Sequence, residues 1–333
     1  MLNVAVIGLG WWGSHVVKTL QGSRKLRVVR VVEVNPTPAA RKLAKEYGIA
    51  LTTDYAEALK DPAVEGVILT TPHTTHEALL MQAARANKQI FCEKPLSLTS
   101  ASAKKMVKAC RDRGLIMGIG HERRYEPAWM KLAEMIRKKE LGTIIAVEAN
   151  NSHDKFAPLK KDNWRGNPKD APAAGWTGMG VHLTDMMISL FGPIYLVNAR
   201  ADLRVFNLPS GDVVTTQFQF KDKTLGTINV VSATPYFSRF AVFGSKGWVE
   251  IHDLAHPEDW ADTHMHICMK GEKHSRRVYK PRDTVKMNFE AWADAVAGKK
   301  KYMFTDVERI GNAAFLDALT KSAKSGKPEK VRN

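Results

Sequence analysis

Gly8-Leu9-Gly10-Trp11-Trp12-Gly13 has the spacing G-x-G-x-x-G, which can carry the pyrophosphate of a dinucleotide. The first glycine permits a tight turn, the second lets the backbone approach the phosphates, and the third lets helix and strand pack closely. Phosphate oxygens would then meet the N–H groups at a helix N-terminus. Glu33 follows Gly13 by about twenty residues, at the end of the next apolar run. A carboxylate there can accept hydrogen bonds from an adenine-ribose hydroxyl and repel a 2′-phosphate. NAD is therefore the expected cofactor, with NADP left open by the neighbouring Arg30. Trp12 lies where the loop meets the nicotinamide half and is expected to pack there.

Three other sets of residues can do chemistry. Lys94 stands between Glu93 and Pro95 after the apolar run Gln89–Cys92. It reads either as a proton carrier or as a surface lysine paired with Glu93. His182, Asp185 and Ser189 fall on one helical face, so Asp185 can reach one imidazole nitrogen and leave the other for a substrate. The alternative is a polar helix face holding a structural histidine. Trp164 can stack on an apolar ring face, and the planar fork of Arg165 can bind a carboxylate or hydroxyls. His153 and Lys160 precede that pair in a loop suited to specificity. Thr71, His73 and His76 follow another apolar run, and the histidines either line a cofactor cleft or cap the next helix.

Strand and helix alternate through the first third. Leu2–Ile7, Leu26–Val34, Val64–Thr70, Gln89–Cys92 and Leu115–Gly118 are apolar on both faces, as buried parallel strands are. The helical segments between them imply a doubly wound parallel sheet of the Rossmann type. After about Gly120 the rhythm changes. Thr143–Ala149, Tyr195–Val205, Val213–Phe220, Leu225–Ser232, Arg239–Phe243 and Trp248–His252 read as strands joined mostly by short turns. They imply an α+β domain on an open, mainly antiparallel sheet. Helices are expected at Thr284–Val296 and Asp306–Ala323. The division is a cofactor domain at 1–120 and a substrate-binding, oligomerising domain at 121–333, whose last helix can pack back on the first.

The chain has 333 residues, 44% hydrophobic and 25% charged, which is ordinary globular usage. No apolar run approaches the ~20 residues that cross a bilayer. Fifty Lys and Arg against thirty-four Asp and Glu give a net charge of +16. That surplus is spread along the chain without a basic stripe or reading motif, so no nucleic-acid partner is expected and an anionic substrate is the more useful reading. Cys92, Cys110 and Cys268 lie far apart, and the first strand begins at Leu2 without a leader, so a cytoplasmic protein with reduced thiols is expected. The run His252, His256, His264, His266 lacks ligand spacing, so no metal is expected.

Gly8–Gly13, Thr71-Pro72-His73-Thr74-Thr75-His76 and Phe91-Cys92-Glu93-Lys94-Pro95-Leu96 together resemble the glucose–fructose oxidoreductase / inositol dehydrogenase family (Gfo/Idh/MocA). Arg123-Arg124-Tyr125-Glu126-Pro127, Asn163-Trp164-Arg165 and Phe243-Gly244-Ser245-Lys246-Gly247-Trp248 extend the resemblance along nearly the whole chain. It implies hydride transfer between NAD(P) and a secondary ring hydroxyl of a sugar, cyclitol or sugar-derived substrate. It also implies a homodimer or homotetramer joined through the open sheet. Lys94 takes the acid/base position, beside Gly8, Gly10, Trp12, Gly13, Glu33, Thr71, His76 and Glu93 at the cofactor. His182 is the second catalytic residue, with Trp164, Arg165 and Asp185 at the substrate. Lysine chemistry agrees, since desolvation beside an oxidised nicotinamide would lower an ammonium pKa toward the working pH.

Gly178-Met179-Gly180-Val181-His182-Leu183-Thr184-Asp185 departs from the family's D-x-G-x-H-x-x-D by Gly178 in place of the first Asp. That change removes a carboxylate able to couple Lys94 to His182. It leaves two alternatives to a sugar dehydrogenase. One is a cis-dihydrodiol or hydroxylated cyclic-acid dehydrogenase with a flatter substrate. The other is a non-catalytic NAD-binding sensor or assembly protein.

Overall fold

The structure is a computed structural model that describes residues 1–160, 162–206, 208–256 and 259–332. It begins with strands β1 (Leu2–Ile7), β2 (Leu26–Val32), β3 (Ala50–Thr52), β4 (Gly66–Leu69), β5 (Gln89–Cys92) and β6 (Met117–Ile119). Helices α1 (Trp11–Leu20), α2 (Pro38–Glu46), α3 (Tyr55–Lys60), α4 (His76–Arg85) and α5 (Ser100–Arg111) connect them. The strands form one parallel sheet in the order β3-β2-β1-β4-β5-β6. All four residues of β4 are buried, as they must be in a strand covered on both faces. The carboxyl ends of β1, β4 and β5, where an open α/β sheet binds its ligands, are continued by Gly8, Thr70 and Glu93.

Helix α6 (Pro127–Arg137) and strand β7 (Ile144–Ser152) follow, then α7 (Gly180–Phe191) and β8 (Ile194–Asp202). Next come β9 (Val213–Phe220), β10 (Leu225–Val231), β11 (Phe237–Gly244), β12 (Gly247–Asp253), β13 (Thr263–Met269) and β14 (Ser275–Tyr279). The chain closes with α8 (Thr284–Val296), α9 (Asp306–Ser325) and the short β15 (Glu329–Lys330). The second sheet runs β14-β13-β12-β11-β7-β10-β9-β8-β15. Its pairings are antiparallel except β7 with β10. Buried residues alternate along β9 and β12, so one face is packed and the other open. On the packed face Trp129 of α6 meets Phe240 edge-on at 4.5 Å, and Phe315 of α9 meets Phe218 at 5.4 Å.

The chain divides into two compact units, Met1–Glu122 with Asp283–Ile310, and Arg123–Arg282 with Gly311–Asn333. The element that returns to the first unit is thus α8 with the start of α9, rather than the last helix as a whole. Aromatic packing explains it. Phe289 lies 4.3 Å and Trp292 5.6 Å from Phe91, ring to ring. The Trp292 indole donates to the Ile116 carbonyl at 2.9 Å.

Candidate active site

In the first unit the glycine loop is locked from three sides. Gly8 has φ +93, a left-handed conformation that suits glycine. A side chain on Gly13 would place its Cβ 1.9 Å from the Gly8 carbonyl oxygen and 2.7 Å from Thr70 Oγ1. Thr70 donates from Oγ1 to the Gly8 carbonyl at 2.7 Å, fixing the loop to the end of β4. Gly10, by contrast, opens on space, since nothing lies within 4 Å of where its Cβ would be. It caps α1 without a side-chain bond, and the first turn carries no acidic residue. The N–H groups of Trp11, Trp12 and Gly13 precede the first intrahelical bond, Ser14 to Gly10. A dinucleotide pyrophosphate fits this cradle.

Glu33 reaches the same loop. Its Oε2 accepts from the Leu9 N–H at 2.7 Å and its Oε1 from Asn35 at 3.1 Å. The carboxylate therefore braces the loop, and its remaining lone pairs are those a ribose hydroxyl would use. Arg30, which left NADP open in the sequence, forks onto Asp61 at 2.8 Å and Glu57 at 2.7 Å.

Thr71 packs on the loop, its Cγ2 lying 3.0 Å from the Cβ position of Gly8. His76 is a correction. Expected at the cofactor, it is fully buried, with Nδ1 3.0 Å from the Pro95 carbonyl and Nε2 3.0 Å from that of Thr71. It ties the loop after β4 to the loop after β5 and faces protein with both nitrogens.

Glu93 and Lys94 follow β5 directly, and the Lys94–Pro95 peptide is cis. Glu93 is 6% exposed and accepts from the Lys94 backbone N–H at 3.2 Å. Burial pushes its carboxyl above the ordinary value, against the pull of the nearby Trp12 indole and the Lys94 charge. Gly120 makes room for it, since a Cβ there would fall 2.2 Å from Glu93 Oε2. Trp12 stacks on His15 of its own helix at 5.0 Å. The glycine loop, Trp12, Glu93 and Lys94 thus gather at one edge of the parallel sheet.

In the second unit His182 sits in the first turn of α7 and is 7% exposed. Gly180 is required beside it by Trp176, whose Cδ2 would lie 2.5 Å from an added Cβ. Asp185, expected beside His182 and the substrate, gives both carboxylate oxygens to Arg124, at 2.7 Å from Nε and 2.6 Å from Nη2. This fork is buried, like the 3.0 Å pair between Arg123 and Asp253. Neither pairing has a local signal, because the partners lie far apart in sequence.

The Arg165 guanidinium covers the Trp164 ring at 4.3 Å, and burial pulls its pKa below the ordinary value. No carboxylate among the described residues pairs with it. Lys94 and His182 belong to different units. Among the described residues no group of three His, Cys, Asp or Glu can hold a metal ion, and no helix is long and apolar enough to cross a membrane.

Comparison with known proteins agrees with this geometry. Residues 2–121 match the oxidoreductase family with an NAD-binding Rossmann fold, and residues 129–250 match the GFO/IDH/MocA C-terminal domain. The fold and the strand-end site thus define an NAD-binding oxidoreductase. The chain belongs to the Gfo/Idh/MocA family. It is 26% identical to the scyllo-inositol 2-dehydrogenase (NAD(+)) of Bacillus subtilis (strain 168), over 98% of this chain and 95% of that protein. A crystal structure from Desulfitobacterium hafniense, described as a proposed NADPH-dependent oxidoreductase, is 26% identical with a TM-score of 0.89, covering 99% of this chain and 97% of that one. Levoglucosan dehydrogenase in complex with NADH and levoglucosan, 20% identical, shares the fold over all of both chains with a TM-score of 0.87.

Proposed function

We propose that this protein is an NAD-dependent dehydrogenase of a secondary ring hydroxyl on a sugar, cyclitol or sugar-derived compound. The observation that carries the reading is Lys94, half-buried at the end of β5 in the unit that holds the glycine loop. Bound NAD⁺ supplies the acceptor for the hydride of the carbinol carbon. Lys94 Nζ, in its neutral form, takes the hydroxyl proton. His182 orients the substrate or relays that proton. Glu33 favours NAD over NADP, because its charge opposes a 2′-phosphate and Arg30 is held by Glu57 and Asp61. The open face of the second sheet is the proposed contact between copies in a dimer or tetramer. Three unpaired cysteines suit a cytoplasmic location.

Arg165 favours a second reading. A guanidinium largely removed from water, with no carboxylate partner among the described residues, suits an anionic substrate such as a hydroxylated cyclic acid.

The test is NAD and NADP reduction across sugars, cyclitols, sugar acids and dihydrodiols. Turnover lost in Lys94→Ala with NAD affinity kept is the expected result, and undiminished turnover would remove the role. Silence across the panel despite NAD binding would favour a sensor.

A further inference from the structure

Two glycines ahead of α7 are glycine for different reasons. Gly175 has φ +83, in the left-handed region. Gly178 is not among the glycines with positive φ, and its N–H donates to the Gly175 carbonyl at 2.9 Å. Its backbone would accept a side chain. What occupies the space is Phe156, whose Cζ lies 2.7 Å from the position of an added Cβ. The same ring lies 3.2 Å from the Cβ position of Gly175. Phe156 is half-buried, and the His153 ring meets it edge-on at 5.4 Å. The turn that carries Phe156 is held by the Lys155 N–H donating to His153 Nδ1 at 3.2 Å. The loop after β7 therefore lays a phenyl ring on the backbone that leads into the first turn of α7, where His182 stands.

We propose that Phe156 is a specificity-determining residue that receives a C–H-rich face of the substrate ring, with Gly178 keeping that place clear of polar side chains. The inference rests on reading the start of α7 as part of the reaction site. A phenyl face offers no hydrogen-bond partner. A hydroxyl pointing at it loses water without replacement, whereas axial C–H bonds lose nothing and gain dispersion contacts. The selected substrates are flat rings, or saturated rings whose hydroxyls are equatorial on that face. An epimer with one axial hydroxyl there is disfavoured about tenfold to a hundredfold, the range apolar sites achieve against an added hydroxyl.

The experiment uses epimer pairs that differ in one axial hydroxyl, such as scyllo- and myo-inositol or glucose and galactose. The ratio of kcat/KM within each pair is measured at saturating NAD for the parent protein, Phe156→Ala, Phe156→Tyr and Gly178→Ser. Phe156→Ala and Gly178→Ser, which displaces the ring, are expected to bring the ratio toward one, mainly through KM. Phe156→Tyr keeps the ring and restores the ratio. NADH affinity, read by its fluorescence, checks that each variant is folded. Binding of the same pairs to the protein–NADH complex gives the ratio without turnover. A protein that turns nothing over, but whose binding ratio depends on Phe156, would overturn the dehydrogenase reading and keep this one. A ratio indifferent to Phe156 in both measurements overturns this one.

Discussion

Glu93 in the first unit and Asp212 in the second are both carboxyls withdrawn from solvent, 6% and 1% exposed, and their titrations move in opposite directions. Burial raises the Glu93 pKa, and its surroundings only partly oppose it. Burial pushes Asp212 up as well, but the backbone N–H groups of Phe206, Val205 and Arg204 outweigh it and hold the carboxyl below its ordinary value. Those bonds are 2.7, 2.6 and 2.9 Å long. At Asp212 the supply of backbone donors sets the sign, and at Glu93 desolvation does. The contrast extends to the other charges. The second unit pairs its buried ions, Arg123 with Asp253 and Arg124 with Asp185. The first unit holds a buried carboxyl with a raised pKa beside Lys94 at a strand end, the kind of environment that tunes reactive groups.

The largest effect should come from Lys94→Ala, about a thousandfold or more in turnover. Its urea midpoint should stay near that of the parent, and a large loss of stability would make Lys94 structural like the ions of the second unit. Asp185→Ala reverses that pattern. Leaving the buried Arg124 without its fork should cost about 3–5 kcal/mol in denaturant unfolding. Asp212→Asn comes next, at about 2 kcal/mol, because the charge that binds three N–H groups is gone.

The acid limb adds a sign to that third test. Folded Asp212 gives up its proton at lower pH than the unfolded chain does. The stability this contributes is complete above the ordinary value of 3.8 and is lost as pH falls through the lower folded value. The Asn variant should therefore lose less stability than the parent below that point. Glu93→Gln should show the smallest effect and the opposite direction. Folded Glu93 keeps its proton to higher pH than the unfolded chain, so its cost grows as pH rises from 4.5 through the raised value. The variant should gain up to about 1 kcal/mol at neutral pH. A loss of stability in thermal unfolding at pH 7 would mean that Glu93 is as well supplied with donors as Asp212.

Reading the sequence reached the parallel sheet and its strand ends because β1, β4 and β5 are apolar on both faces and stop at glycine, threonine and glutamate. It missed β13, whose outward residues His264 and His266 lie between the buried Met265 and Ile267 and read as a histidine run. It missed β14 because Ser275-Arg276-Arg277 at a sheet edge carries no apolar alternation. Glycine spacing located Gly8, Gly10 and Gly13, while Thr70, which bolts them, looked like any strand-end threonine. Arg124 as the partner of Asp185, and the two carbonyls held by His76, depend on tertiary contacts that no local pattern records. The motif around His182 carried its position but not the ring of Phe156 lying on Gly178.

The return of α8 to the first unit has a consequence for synthesis on the ribosome. Domains tend to fold in order as they emerge, the N-terminal one first. Here all six parallel strands have left the tunnel long before Phe289 and Trp292 exist to cover Phe91. The apolar patch around Phe91 must therefore wait, unsealed, while the whole second sheet up to β14 is made. During that interval it is a ready surface for a chaperone or for misassociation, and a stop codon placed before residue 283 would make the exposure permanent.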